Sequence, residues 1–510
     1  MGHRSKILLL LFVAAKLLLH LFIVNDAYDL HRDEYLHLDQ GNHLAAGYLS
    51  VPPFTAFVSF VIHVLGGGVF WVRFFPALFG TLTMLLIWKT ISLLKGGWYA
   101  QTVAATAFLF SAVSRVNILY QPNSADILAW TLLLYLLIAY VNNRKSPLLL
   151  WLGLVAGLAF LNKYNVLFVI AGVVPALLLA RQWRIFAEKY LYVGIMIALI
   201  VAAPNIIWQL RQGMPVLHHM KELADTQLVN VDRMGFVVEQ LLFFMFGTCI
   251  WVTGLISLFW YKPFCAYRFF GWSFLLVMAL FIYLKAKGYY ALGLYPVMLA
   301  YGSVYWERLF SNGWLRYTRP VWLVLIALPM VMLYRFVFPV LPPEQLHSMI
   351  KPGMRELLCR WEDGQLHDLP QDFADMRGWR ELAGLVANTF RQAPLDERRH
   401  LLILCENYGQ AGAINFYAKK EVTPAVTFNA DYMNWFPATD SLRYVIVVGD
   451  ELQEYVRQYA SGHIKTGQVT DVLAREYRTG VYLLTGISPV FADKLRQWQL
   501  EKQQAFRAWK

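Results

Sequence analysis

The chain has 510 residues, of which 58% are hydrophobic and 15% charged, and its mean hydropathy is +0.44. Soluble domains carry about a quarter charged residues, so a purely aqueous fold is excluded. The net charge of +12, from 45 basic and 33 acidic residues, does not point to nucleic acid, because Lys and Arg sit between apolar runs and form no stripe that tracks phosphates; membrane topology and anionic lipid account for it instead.

The opening MGHRSK is followed by an apolar stretch ending near residue 24. No small-residue cleavage site follows it and more apolar runs come after, so it reads as an uncleaved first span. Lys16 and His20 lie four apart on one face of it and are expected to snorkel or to face the bundle interior. Further runs long enough to cross a bilayer fall near 69–94, 99–114, 124–141, 147–161, 166–181, 190–209, 237–260, 270–285, 290–305 and 320–338, which makes about eleven spans. The segment near 54–66 reads as re-entrant or interfacial.

Basic residues in alternate short loops set the orientation. Arg4 with Lys6, Lys89 with Lys95, Arg144 with Lys145, Arg181 with Arg184, Lys262 with Arg268, and Arg308 with Arg316 and Arg319 all fall on one side, taken as cytoplasmic. The opposite face holds the loop 25–68, Arg115, Asp126 at the start of a span, Lys163, His218 with His219, and Lys285 with Lys287. Cations there run against the usual bias, and such residues are expensive unless paired or functional, so an anionic ligand is expected among them.

The densest signal is HRDEYLHLDQGNHLAAGYLSVPPFTAF, residues 31–57. Asp33 and Glu34, with His37 one turn on, offer a general base and groups to orient it. An Asp that merely caps a short helix explains the same residues. His218, His219 and Glu222, with Asp225 beyond, lack an assured third ligand; a metal is weakly supported against a solvated loop, and no cofactor is expected. No phosphate-binding P-loop, dinucleotide fingerprint or nucleophile elbow is present.

The run D-E-Y, then G-Y, then P-P-F-T resembles the first outer loop of the GT-C glycosyltransferases, closest to the branch of aminoarabinose transferases, protein O-mannosyltransferases and RgtA/B/C/D-like transferases. The resemblance continues through VRFFPALFGTL, NSADILAW, GLAFLNKYN, PNIIWQLRQGMP, KGYYALGLYP, DFADMRGWREL and ENYGQAGAINFY, and so spans most of the chain. It implies a multi-pass α-helical fold with a small α/β extracytoplasmic domain. It also implies transfer of a sugar from a polyprenyl-phosphate carrier to a lipid or protein acceptor, with Asp33 as the catalytic carboxylate and Glu34 second. Asp126 would face the same outer cavity, either as a substrate contact paired with Lys163 or as the cap of its span. Arg115, Lys163 and Lys287 would bind carrier phosphate or only anchor helix ends, with Tyr289 and Tyr290 lining the pocket and His37 and Tyr48 beside the substrate. Some relatives carry a lysine before the Pro-Pro pair; here Val51 stands before Pro52 and Pro53, so the phosphate cation must come from elsewhere.

The expected domains are residues 1–342, transmembrane, and 343–510, small α/β and extracytoplasmic. In the latter HLLILC, AVTFN, RYVIVVGD and GVYLLTG read as strands, and WRELAGLVANTF, YGQAGAINFYA, ELQEYVRQYA and a basic segment near 488–508 as helices. This domain is expected to cap the cavity without chemistry of its own. Cys359 and Cys405, both within it, are the pair an exported domain would have for a disulfide. A transporter or flippase is the main rival function, lowered by the lack of an internal repeat; a non-catalytic scaffold is a third.

Overall fold

The computed structural model describes residues 2–438 and 441–507; residue 508, the end of the expected terminal helix, lies outside them. Among the described residues six helices are long and apolar enough to cross a membrane: His3–Phe22, Val69–Leu93, Pro122–Asn143, Lys189–Arg211, Lys262–Tyr283 and Trp314–Val337. Arg233–Leu242 and Met245–Trp260 form a further candidate bent by 96°. The other expected runs fold as shorter helices: Trp98–Leu109, Leu148–Asn162, Val166–Leu179 and Tyr295–Leu309. The run near 54–66 is the helix Phe54–Val64. The chain is thus a multi-pass helical membrane protein that also carries a small sheet.

Two compact units divide the chain: Met1–Val24, Phe70–Ile206 and Ala224–Val340 form one, while Asn25–Val69, Ile207–Leu223 and Leu341–Lys510 form the other. In the first, helices pack on aromatic side chains that are almost fully buried, among them Trp88, Trp130, Tyr295 and Tyr301. Small residues bring backbones together, as expected where lipid tails compete for apolar surface. A Cβ on Gly153 would lie 2.0 Å from the Gly194 carbonyl oxygen, and one on Gly254 would lie 2.2 Å from that of Met298. Lys16 faces the bundle interior and is fully buried. Its Nζ donates to Asn117 Oδ1 at 2.8 Å and Ser114 Oγ at 3.0 Å, and lies 3.2 Å from His20 Nε2. A buried amine needs such partners.

The second unit is built on a five-stranded sheet in the order β2-β1-β3-β5-β4, with β1 Leu401–Cys405, β2 Ala425–Thr427, β3 Tyr444–Gly449, β4 Ala460–Gln468 and β5 Gly480–Ile487. β1 pairs in parallel with β2 and β3, while β5 runs antiparallel to β3 and β4. β1 is buried along its whole length, which its continuous apolar run requires. β4 is half exposed and polar, an edge strand without apolar alternation, and the sequence reading passed over it. The expected helix over 451–460 shrinks to one turn, Glu454–Arg457, and β4 takes its last residue. The terminal helix is Val490–Arg507. Cys359 and Cys405 are both buried and free, so the disulfide is not formed.

The helix Arg32–Asn42 belongs to this unit and lies against the helix Tyr408–Tyr417. Tyr35 packs on Trp379, Phe416 and Tyr417 with ring centroids 5.7–5.9 Å apart, and a Cβ on Gly412 would meet the Tyr35 Cβ at 2.6 Å. Buried polar pairs fix the register: Asn415 Nδ2 and Tyr432 Oη each donate to Asp39 Oδ2 at 2.7 Å. Asp29 Oδ2 accepts from the amides of Trp379 and Arg380, and Asp29 Oδ1 pairs with Arg380 Nε at 2.9 Å.

Candidate active site

The residues around Asp33 are set by how the helix Arg32–Asn42 begins. His31, not Asp33, is its cap: His31 Nδ1 accepts the Asp33 amide at 3.2 Å, and Glu34 Oε2 accepts the His31 amide at 2.6 Å. This reciprocal pair satisfies two amides that a helix start leaves without intrahelical partners. The capping alternative for Asp33 therefore falls away. Glu34, with no exposed surface, carries part of that capping duty.

Asp33 sits in the first turn with its side chain about a third exposed (34%). Tyr408 Oη donates to its Oδ1 at 2.7 Å, and Arg32 Nε lies 3.7 Å from the same oxygen. The Arg32 guanidinium also covers the Tyr408 ring at 4.9 Å. His31 Nε2 faces Asp375 Oδ2 at 3.6 Å. Burial alone would push the Asp33 carboxyl up. His31, Arg32 and the Tyr408 hydrogen bond outweigh it and hold the carboxyl well below the usual carboxylate range, since opposite charge and hydrogen bonds to the ionised form favour it.

His37 is buried one turn further on, its Nδ1 3.1 Å from Gln40 Oε1, and burial lowers its proton affinity. Tyr48 is buried too; its Oη lies 3.0 Å from the carbonyls of Gln40 and His43 and accepts the Ala45 amide. Tyr48 therefore braces the loop that follows the helix.

The other unit holds a second polar group. Lys163, in extended backbone after the helix Leu148–Asn162, donates to Asn123 Oδ1 at 2.8 Å and lies 4.3 Å and 5.3 Å from the ring centroids of Tyr290 and Tyr289. Asp126 is not the cap of its helix, which starts at Pro122 after Gln121. It is buried in the second turn, where its Oδ2 accepts from Asn165 Nδ2 at 2.9 Å. Asn165 also donates to the Tyr290 carbonyl at 3.1 Å, which ties Asp126 to the tyrosine pair. Lys287 donates to Gln227 Oε1. Arg115 is half-buried in the short turn Val113–Val116. Among the described residues no group of three or more His, Cys, Asp or Glu stands together to hold a metal ion.

Residues 50–208 match the family described as dolichyl-phosphate-mannose-protein mannosyltransferase. Over 212 residues the chain is 30% identical to the lipid A galacturonosyltransferase RgtD of Rhizobium johnstonii, a match covering 41% of this chain and 44% of that relative. ArnT from Cupriavidus metallidurans, solved bound to undecaprenyl phosphate, superposes with a TM-score of 0.61 over 93% of this chain and 98% of its own, at 13% identity. Its apo form gives 0.61, at 14% identity. The chain has the GT-C glycosyltransferase fold. Within the GT-C fold, the family-matched segment includes Arg115, Asp126 and Lys163 but begins after Asp33, Glu34, His37 and Tyr48. In the loop 25–68 the family match thus covers Pro52, Pro53 and the residues after them, while the D-E-Y run lies before it.

The sequence reading did not single out His31, Arg32 or Tyr408 as partners of Asp33. Tyr408 lies inside the run ENYGQAGAINFY, whose Asn407 caps the next helix, but nothing local in that run points to Asp33. The segment expected to do no chemistry supplies a direct hydrogen bond to the candidate base.

Proposed function

We propose that this chain is a membrane glycosyltransferase that moves a sugar from a polyprenyl-phosphate carrier to a hydroxyl of an extracytoplasmic lipid acceptor, in an inner membrane with its α/β domain outside. The observation that carries the reading is Asp33: a partly exposed carboxylate bonded by Tyr408 and flanked by Arg32 and His31. Such a carboxylate can hydrogen-bond an incoming hydroxyl and take its proton as the bond to carbon forms. The GT-C fold, the lipid A transferase relative and the ArnT structure bound to undecaprenyl phosphate support the same class of chemistry.

The reaction is an inverting displacement. The acceptor oxygen forms a bond to the anomeric carbon, the bond from that carbon to the carrier phosphate oxygen breaks, and Asp33 takes the acceptor's proton. Negative charge grows on the departing phosphate. Lys163, Lys287 and Arg115 are the cations proposed to stabilise it, with Tyr289 and Tyr290 against Lys163. Asp126 holds Asn165 and, through it, the Tyr290 backbone. Glu34 and His37 support Asp33 from within the helix.

Purified protein given radiolabelled polyprenyl-phosphate sugar and membrane lipid extract should transfer label to lipid. Asp33→Asn should lose that transfer by about 10²–10⁴-fold with an unchanged thermal midpoint. Full activity in that variant removes the assignment. Movement of the intact labelled carrier across a vesicle bilayer, without transfer, would identify a flippase instead.

A further inference from the structure

The helix Arg32–Asn42 carries Asp33 at its start and ends at His43, about 15 Å further along its axis at 1.5 Å per residue. There the second unit forms a half-open cavity of about 170 Å³. Trp208 and Trp435 give it aromatic walls, and the His43 imidazole stacks on Trp435 with centroids 4.3 Å apart and planes 11° from parallel. Asp431, with Asn434 and Gln503, gives it a polar edge. Asp431 is 2% exposed. Its Oδ1 accepts the Leu49 amide and its Oδ2 accepts Gln40 Nε2, both at 2.8 Å, and each carboxylate oxygen can take one more donor.

These walls discriminate between ligand chemistries. A pyranose ring offers apolar C–H faces that suit aromatic planes and a rim of hydroxyls that suit carboxylate and amide groups. A phosphate asks for clustered cations, and among the described lining residues none is Lys or Arg. Partial burial also lowers the proton affinity of His43, which weakens it as a cation for phosphate. A hydrocarbon chain would leave Asp431 desolvated without a new donor, which is costly.

We propose that this cavity binds a pyranose ring of the acceptor, as a subsite separate from the surroundings of Asp33. That the sugar belongs to the acceptor rests on the transferase reading; the sugar-binding chemistry of the cavity does not. One ring cannot reach both ends of the helix, so the acceptor carries at least one further sugar beyond the unit that is modified.

Saturation-transfer NMR on the full chain in detergent micelles tests this, with methyl β-D-glucopyranoside as probe and inorganic phosphate as the competing chemistry. The glycoside should receive saturation from the protein. Trp435→Ala and the near-isosteric Asp431→Asn should each weaken its binding about tenfold, whereas Asp33→Asn should leave it unchanged. No glycoside signal, a signal indifferent to both cavity substitutions, or phosphate binding abolished by them would overturn the subsite. Glycoside binding that follows this pattern in a protein that transfers no sugar would sink the transferase reading and leave the subsite standing.

Discussion

The phenol of Tyr408 donates a 2.7 Å hydrogen bond to the carboxylate of Asp33 across 375 residues of chain. One consequence concerns pH. The bond favours the ionised form, so its removal raises the proton affinity of Asp33 in the folded protein. Tyr408→Phe should move the Asp33 carboxyl titration, read by carboxyl-carbon NMR, to higher pH. At pH 8 the loss of transfer should stay near about tenfold, the lower range for one hydrogen bond to a charged group. A carboxyl titration that coincides with the unaltered protein's would show that Tyr408 does not tune Asp33.

Gly409 follows that tyrosine, and a Cβ there would lie 2.5 Å from Arg32 Cγ and 2.9 Å from Trp379 Cη2. Gly409→Ala should therefore cost about 1–3 kcal/mol through overpacking and disturb the cation beside Asp33. Gly384, exposed in the helix Trp379–Gln392 with nothing within 4 Å of its would-be Cβ, is the control. There alanine should stabilise by about 0.5–1 kcal/mol. Thermal midpoints of the two variants should move in opposite directions.

Burial pushes the Asp431 carboxyl up to about 6 from its ordinary 3.8, although the Leu49 amide and Gln40 pull the other way. The folded state therefore binds this proton more tightly than the unfolded chain does. Its contribution is fully present below about pH 4 and is lost as pH rises through about 6. A shift of about two units corresponds to roughly 3 kcal/mol. The thermal midpoint of Asp431→Asn should show a flatter dependence between pH 4 and 6.5 than that of the unaltered chain; identical slopes would contradict the assignment.

Lys163 is held by Asn123 and faces two tyrosine rings. Lys163→Gln removes the charge and keeps most of the side chain's length. Calorimetry with undecaprenyl phosphate should show affinity lower by about tenfold, the range for one charge-assisted phosphate contact. An unchanged affinity would confine Lys163 to anchoring its helix end.

Much of this was legible beforehand. Long apolar runs announce spans because a bilayer demands length, and the apolar runs of β1, β3 and β5 announce buried strands. β4 was missed because an edge strand needs no apolar face, and its residues ASGHIKTGQ supply none. At the candidate site, Asp33 was found from its neighbours in sequence. The alternative that Asp33 caps its helix arose because histidine seldom serves at that position, where Ser, Thr, Asp and Asn lead; His31 holds it instead. Tyr408 could not be paired with Asp33 by any local pattern, since only tertiary packing of Tyr35 against Gly412 and its neighbours brings the two helices together.

The glycine contacts in the helical unit bear on how a long-chain lipid could approach. Where Gly153 meets Gly194, and Gly254 meets the Met298 carbonyl, main chain touches main chain with no side chain left to swing aside. Each pair of helices is in effect a riveted strut. Any lateral gate for a prenyl tail must open along seams lined by movable side chains, and a single methyl at either rivet should jam the frame without touching a reacting group.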